Sequence, residues 1–238
     1  MAGFPRYAIY YAAARDCLLH RFGAQLLGYD AWTGETLSFP VFATQVAPDW
    51  LELTQDPRKY GFHATLKAPM PLASGSTEAE LLAACSAFAE KPRAIPVITP
   101  VIDAISGFIA VVPSARSSDL ERLAADCVIE LDCFRPPLAL EDRARRNPSN
   151  LTPRQSDFLD RWGYPYVMDE FRFHMTLTGR LDAARRAPVL TILRRRFSDL
   201  DITRLAIDRI ALFRQDDTHS RFRIISQWRL SSAERKPS

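Results

Sequence analysis

The chain has 238 residues, long enough for one large domain or two small ones around a sizeable core. Its 47% hydrophobic and 25% charged residues are the balance of an ordinary globular protein, and no apolar run approaches the roughly 20 residues of a membrane-spanning helix. A net charge of +3 argues against extended nucleic-acid binding, although Lys and Arg cluster at 141–147 (EDRARRN) and at 194–196 (RRR). Such runs are usually solvated faces; the alternative is a weakly basic groove for a phosphorylated ligand.

The opening MAGFPRYAIYYAAARD has neither the charged start nor the long apolar stretch of a signal peptide. RYAIYYAA (6–13) reads as a strand, and GYDAWTGETLSFP (28–40) as a loop carrying isolated aromatics. YGFHATLKAPM (60–70) is again strand-like, closed by Pro69 and Pro71. Thr77-x-x-Glu80 is a capping box that opens a helix with Leu81, Leu82, Cys85, Phe88 and Ala89 on one face. Two β-like runs follow, AIPVITPVIDAI and GFIAVVP, with Gly107 near their turn. Ser118-x-x-Glu121 opens a second helix that turns Leu120, Leu123, Ala124, Cys127 and Leu131 inward.

Arg135 to Glu170 reads as an insertion, holding a short helix with Thr152 as N-cap, Pro153 at N1, Gln155 at N3 and Gly163 at its end. A helix around 187–198 is entered through Pro188, and β-like runs at 202–214 and 220–230 complete the order. The four cysteines lack C-x-x-C spacing, and three sit among apolar residues of expected helices. They read as buried thiols in a reducing cytoplasm. Strand, helix and two strands therefore occur twice. That order implies an α+β fold, a single bilobal unit over 1–238 with the insertion near 135–170.

Each half begins with the same tetrapeptide frame. GFHATLKAP (61–69) and FRFHMTLTG (171–179) both carry H-x-T-L, in a chain with only four histidines. From average composition, two such coincidences among four histidines arise by chance on the order of once in 10,000. In a strand, residues i and i+2 share a face. His63 and Thr65 therefore project together, as do His174 and Thr176, while Leu66 and Leu177 point to the packed side. If the two strands are neighbours, about 4.8 Å apart, the four side chains can surround one phosphoryl group.

The chemistry fits the pairing. Displacement at phosphorus needs a base for the nucleophile and an acid for the leaving oxygen, and imidazole serves either role near neutral pH. Threonine hydroxyls can donate to the non-bridging oxygens. Lys67 and Thr178, at i+4 from their histidines, would add phosphate contacts if the strands persist, and are otherwise exposed strand-end residues; Arg172 shares a face with His174 and is a candidate phosphate clamp. No H-E-x-x-H, H-x-H or clustered-carboxylate pattern calls for a metal. Tyr7, Tyr10, Tyr11 and Tyr60 are divided between a sugar or base pocket and the core. His20 and His219 are read as surface or loop residues. WGYPY (162–166) is either a lid or helix-end packing.

The paired H-x-T-L strands, each followed by a helix and two strands, resemble the 2H (two-histidine) phosphoesterase superfamily. That superfamily includes cyclic phosphodiesterases and RNA ligase-like enzymes. RNPSNLTPRQSDFLDRWGYPYVMDEFRFHMTLTG (146–179), with RYAIYY and GFHATLKAP, resembles more particularly a branch linked to bacterial phosphonate-utilisation operons. The resemblance implies two pseudo-symmetric lobes of antiparallel sheet, helices outside, and a central cleft receiving one H-x-T from each lobe. It implies His63 and His174 as the acid–base pair and Thr65 and Thr176 as phosphate ligands. The implied activity is metal-independent and cofactor-free hydrolysis of a small cyclic phosphate or phosphodiester, for example a ribose cyclic phosphate. RNA 2′,3′-cyclic end processing and a non-catalytic nucleotide- or RNA-binding module are the competing readings.

Overall fold

The computed structural model describes residues 3–145 and 148–233; Arg146 and Asn147 of the basic run at 141–147 lie outside them. The strands are β1 Arg6–Tyr11, β2 Ala64–Pro71, β3 Val97–Ile98, β4 Pro100–Ile105, β5 Phe108–Pro113, β6 Met175–Thr176, β7 Leu205–Ala206, β8 Arg209–Gln215 and β9 Arg223–Arg229. The helices are α1 Leu18–Leu27, α2 Val41–Val46, α3 Trp50–Leu53, α4 Gln55–Arg58, α5 Glu78–Glu90, α6 Ser118–Glu130, α7 Leu140–Arg145, α8 Pro153–Trp162 and α9 Ala183–Ser198. The architecture is α+β, as the alternation of helices with paired strands implies.

Seven strands form one antiparallel sheet in the order β4-β5-β6-β2-β1-β8-β9, and β3 pairs with β7 apart from it. β1 owes its central place to alternation that is apolar on both faces. Tyr7, Ile9 and Tyr11 enter the main core, whereas Ala8 and Tyr10 pack with Tyr29, Phe213 and Phe222 on the opposite face. The strand–helix–strand–strand repeat is interlaced. α5, which follows β2, packs on β8 and β9, while α9, which follows β6, packs on β4 and β5. β6 thus lies between β5 and β2, both from the first half of the chain, while β8 and β9 of the second half join the sheet beside β1.

Helix starts follow their caps. Thr77 and Thr152 make both bonds of their capping boxes, and Gly163 ends α8 in the left-handed conformation at φ 71°. The cap of α6 is Ser117 rather than Ser118: its hydroxyl accepts from the Leu120 N–H at 3.3 Å, while Glu121 is taken by Arg116. α9 starts a turn earlier than its proline implies. Asp182 caps it, leaving Pro188 inside the helix. Two long β-like runs each break in two, into β3 and β4 and into β7 and β8. α1 to α4 go unread in the sequence. α1 is capped by the Cys17 sulfur accepting from the His20 N–H at 3.4 Å, which is no standard start signal. His20 is also not a surface residue: it is 5% exposed, with Nε2 3.3 Å from Asp30. Cys85 and Cys127 are buried as expected, Cys17 is partly buried, and Cys133 is exposed.

Candidate active site

β2 and β6 are adjacent, and their register makes the site. Ala64 pairs with Met175 in antiparallel sense, and both are fully buried against the main core. That pairing sets His63 beside Thr176 and Thr65 beside His174, all four on the opposite face. Directly opposed side chains on one face have Cβ atoms about 4.5–5.5 Å apart, and the diagonal pair about 7–8 Å. The two H-x-T units therefore meet head to tail around one point. His63, Thr65, His174 and Thr176 line a single cavity of about 510 Å³.

Both imidazoles are held in the same way. His63 Nδ1 lies 2.9 Å from the Gly61 carbonyl oxygen, and His174 Nδ1 lies 2.7 Å from that of Arg172, each two residues upstream. A carbonyl only accepts, so Nδ1 carries the proton and Nε2 is left to titrate. His63 Nε2 is 3.4 Å from Thr65 Oγ1. Tyr10 stacks on the His63 ring at 3.8 Å between centroids and 21° between planes, and Phe108 lies 5.5 Å from His174. Burial pushes His63 down to about 4, outweighing the Gly61 carbonyl, which favours the charged ring; repulsion from His174 adds to the drop. Burial lowers His174 as well, against the opposing pull of the Arg172 carbonyl. Gly61 is itself required: at φ +73° it leaves room for Ala31, whose Cβ would lie 2.7 Å from a side chain at 61.

Lys67 is not on the cleft face. β1 meets β2 at Tyr10↔Thr65 and Ile9↔Lys67, so one step along β1 spans two along β2. This β-bulge breaks the alternation, and Leu66 and Lys67 are both buried. The Lys67 ammonium donates to Asp132 Oδ1 at 2.9 Å and the Val128 carbonyl at 3.2 Å, beneath α6. Ala68 and Pro69 take the cavity positions instead. Thr178 lines the cavity but is fully buried, and its hydroxyl is committed to main chain. It accepts from the Ile109 N–H at 3.0 Å and donates to the Gly179 carbonyl at 2.9 Å.

Arg172 faces an adjoining chamber of about 500 Å³, which shares Thr65, His174, Phe108, Tyr164 and Arg180 with the first. The aromatics divide by strand face: Tyr10 and Tyr60 line the first cavity, while Tyr7 and Tyr11 belong to the core. Two arginines escape sequence reasoning. Arg6 lines the first cavity, its guanidinium on the Gln215 side-chain oxygen, and Arg180 lines both chambers. Neither sits in a motif; only the alternation that places Arg6 two steps from Ala8 could have pointed to the first. The 135–170 segment contributes Gln155, Tyr164, Tyr166 and Glu170 to the chamber wall. Among the described residues, no group of three or more His, Cys, Asp or Glu is placed to hold a metal ion, and no helix is long and apolar enough to cross a membrane.

Residues 65–223 match a family described as protein of unknown function, DUF1045. The chain belongs to the DUF1045 family. This DUF1045 chain is 36% identical over 193 residues to a ribose 1,5-bisphosphate phosphokinase PhnN of Janthinobacterium sp. (strain Marseille), covering 79% of the chain and 41% of that protein. It is 32% identical over 177 residues to a protein of the same name from Laribacter hongkongensis (strain HLHK9), covering 74% and 40%. The chain thus spans about two fifths of the length of these relatives. Among solved structures, E. coli LigT complexed with NADP+ aligns at 14% identity with a TM-score of 0.43, covering 96% of this chain and 98% of that one. A crystal structure of a phosphoesterase aligns at 11% identity with a TM-score of 0.41, covering 96% and 100%.

Proposed function

We propose that this chain is a two-histidine phosphoesterase acting on a small cyclic phosphate or phosphodiester. The observation that carries the reading is the crosswise meeting of the two H-x-T units, with both Nδ1 atoms bound to main chain and both Nε2 atoms left for the cavity. A phosphoryl group between the strands is reached by an imidazole and a hydroxyl from each side.

His63, the ring held neutral more firmly, takes the proton from an attacking water at Nε2 as the water oxygen bonds to phosphorus. His174, protonated at Nε2, gives its proton to the departing alkoxide as the P–O bond breaks. Thr65 and Thr176 donate to the non-bridging oxygens, where charge is stabilised. The products are a phosphomonoester and a free hydroxyl. For a cyclic substrate both remain on one molecule, and the two histidines have exchanged protonation states. Imidazoles and hydroxyls fill every role in this scheme, so turnover needs no metal.

The relatives' name points to phosphoribosyl chemistry, in keeping with the resemblance to a phosphonate-operon branch, and supports a ribose cyclic phosphate as substrate. The kinase activity in that name is assigned to the remainder of the relatives. This chain has no G-x-x-x-x-G-K-[ST] phosphate loop, and its one G-x-x-x-x-G, Gly23 to Gly28, runs on into Tyr29 and Asp30 at the end of α1. The deciding experiment incubates purified protein with ribose 1,2-cyclic phosphate, nucleoside 2′,3′-cyclic phosphates and linear diesters, with the His63→Ala, His174→Ala double variant as control. Turnover of a small cyclic phosphate by the wild type alone is expected. Activity confined to RNA ends would move the substrate to RNA, and no turnover of any diester would leave a binding module.

A further inference from the structure

We infer that the chamber beside the H-x-T cavity is a subsite for a second phosphate, carried on the alcohol part of the substrate and held by Arg172 and Arg180. The inference rests on the phosphoesterase reading and narrows its substrate class to a cyclic phosphate that is also a phosphomonoester.

The chamber, about 500 Å³, shares Thr65 and His174 with the reacting centre, so a group bound there would lie next to the phosphoryl site. Among the described residues, the Arg172 and Arg180 side chains make no ion pair or hydrogen bond, whereas arginines nearby are engaged. Arg154 pairs with Asp169, and Arg135 pairs with Asp132. The carboxylate at the chamber, Glu170, accepts from the Gln155 amide at 2.9 Å. That partner is neutral, so the lining has two guanidinium charges against one carboxylate. Both arginines are exposed, so water solvates them in the free protein and an anionic group on the ligand would take the place of that water. A phosphomonoester offers oxygens that suit their fork-like N–H donors. Tyr164 and Phe108, which line both chambers, flank the path a sugar ring would take between the two phosphates.

Arg172 also has a reason to sit there. Its carbonyl holds His174 Nδ1, so its backbone is fixed by the catalytic ring while its side chain turns into the neighbouring space. Occupancy of the second site would thereby be felt at the first, through one residue.

The test compares ribose 1,2-cyclic phosphate with the same compound bearing a phosphate on its 5-hydroxyl. Affinity for each is measured by calorimetry on the His63→Ala, His174→Ala protein, which removes turnover from the question. The 5-phosphorylated compound is expected to bind roughly ten- to hundred-fold more tightly, the range of one or two charge-assisted hydrogen bonds. Arg172→Ala and Arg180→Ala, each placed in that background, should shrink the ratio, Arg→Lys should keep part of it, and added salt should reduce it. A ratio near one, or a ratio that neither arginine changes, overturns the subsite. Wild-type turnover of the same pair is read separately: if neither compound is cleaved while the binding ratio holds, the anion site stands and the phosphoesterase reading falls.

Discussion

His63 and His174 titrate at Nε2 because each spends its Nδ1 proton on a carbonyl two residues upstream, and that fixes the sign of the pH response. In the proposed mechanism the base His63 must be neutral, so activity is expected to be lost as pH falls through its depressed value, about 4. The acid must be charged, so activity is lost as pH rises through the value of His174, which burial sets below the usual 6.5. The kcat/KM profile of the free enzyme should therefore be a bell peaking on the acid side of 6.5, whereas kcat, with an anionic phosphate bound, should peak at higher pH. A kcat/KM plateau extending above pH 8 would reject this assignment. The threonines make a second test. Thr65→Val or Thr176→Val keeps the branched shape but removes the donor, and should lower kcat by roughly 10²–10³ with little change in Tm. Thr→Ser should lose far less; tolerated valines would show that the hydroxyls do not meet phosphate. These four residues are legible in sequence because period-2 alternation is local. The remainder of the site is not, because Arg6 and Arg180 reach it from a distant strand and an irregular segment.

At the scale of elements, the bulge in β2 decides what the first motif can present. Lys67 reads as a phosphate ligand by counting along one strand, but a bulge belongs to the pairing of two. Lys67→Met should leave kcat/KM nearly unchanged, whereas Asp132→Ala, which strands the buried Lys67 charge, should cost about 3 kcal/mol in denaturant unfolding. A large loss of activity in Lys67→Met with normal stability would return the lysine to the cleft. Gly61 carries the other element-level test. Gly61→Ala combines a left-handed backbone with a clash against Ala31, and should cost about 1–3 kcal/mol and lower kcat by disturbing the carbonyl that aims His63. Gly75→Ala, also at positive φ but with open space around it, should lose only about 1 kcal/mol and retain activity. Equal effects at both positions would dissociate Gly61 from the site. Helices whose serine, threonine or aspartate cap makes its side-chain bond are legible in the sequence to within a turn. α1 to α4 are not, since their starts use a cysteine sulfur, Pro40, Asp49 and Thr54, the last three without a side-chain cap bond.

For the whole molecule, the duplicated order strand, helix, strand, strand is readable, but the exchange of strands between halves is not, since nothing local records which strand a segment will pair with. The exchange brings both motifs to one cavity, and the chemistry there should need nothing further. Turnover is expected to survive exhaustive chelation with EDTA; abolition that a divalent ion reverses would reject the imidazole mechanism.

The interlacing also sets the order in which this protein can come into being. β1 finds β8 only across some two hundred residues, Arg6 opposite Gln215, and β2 finds β6 across more than a hundred, Ala64 opposite Met175. Sheets closed by such distant partners carry a large loop-closure cost and fold slowly. On a ribosome His63 emerges long before His174, and β1 waits longer still for the hairpin that covers it. For that interval its run of tyrosines is an uncovered strand edge, the kind of surface that chaperones hold. Assembly of the proposed catalytic pair thus waits until both motif strands have been made and can close over one another.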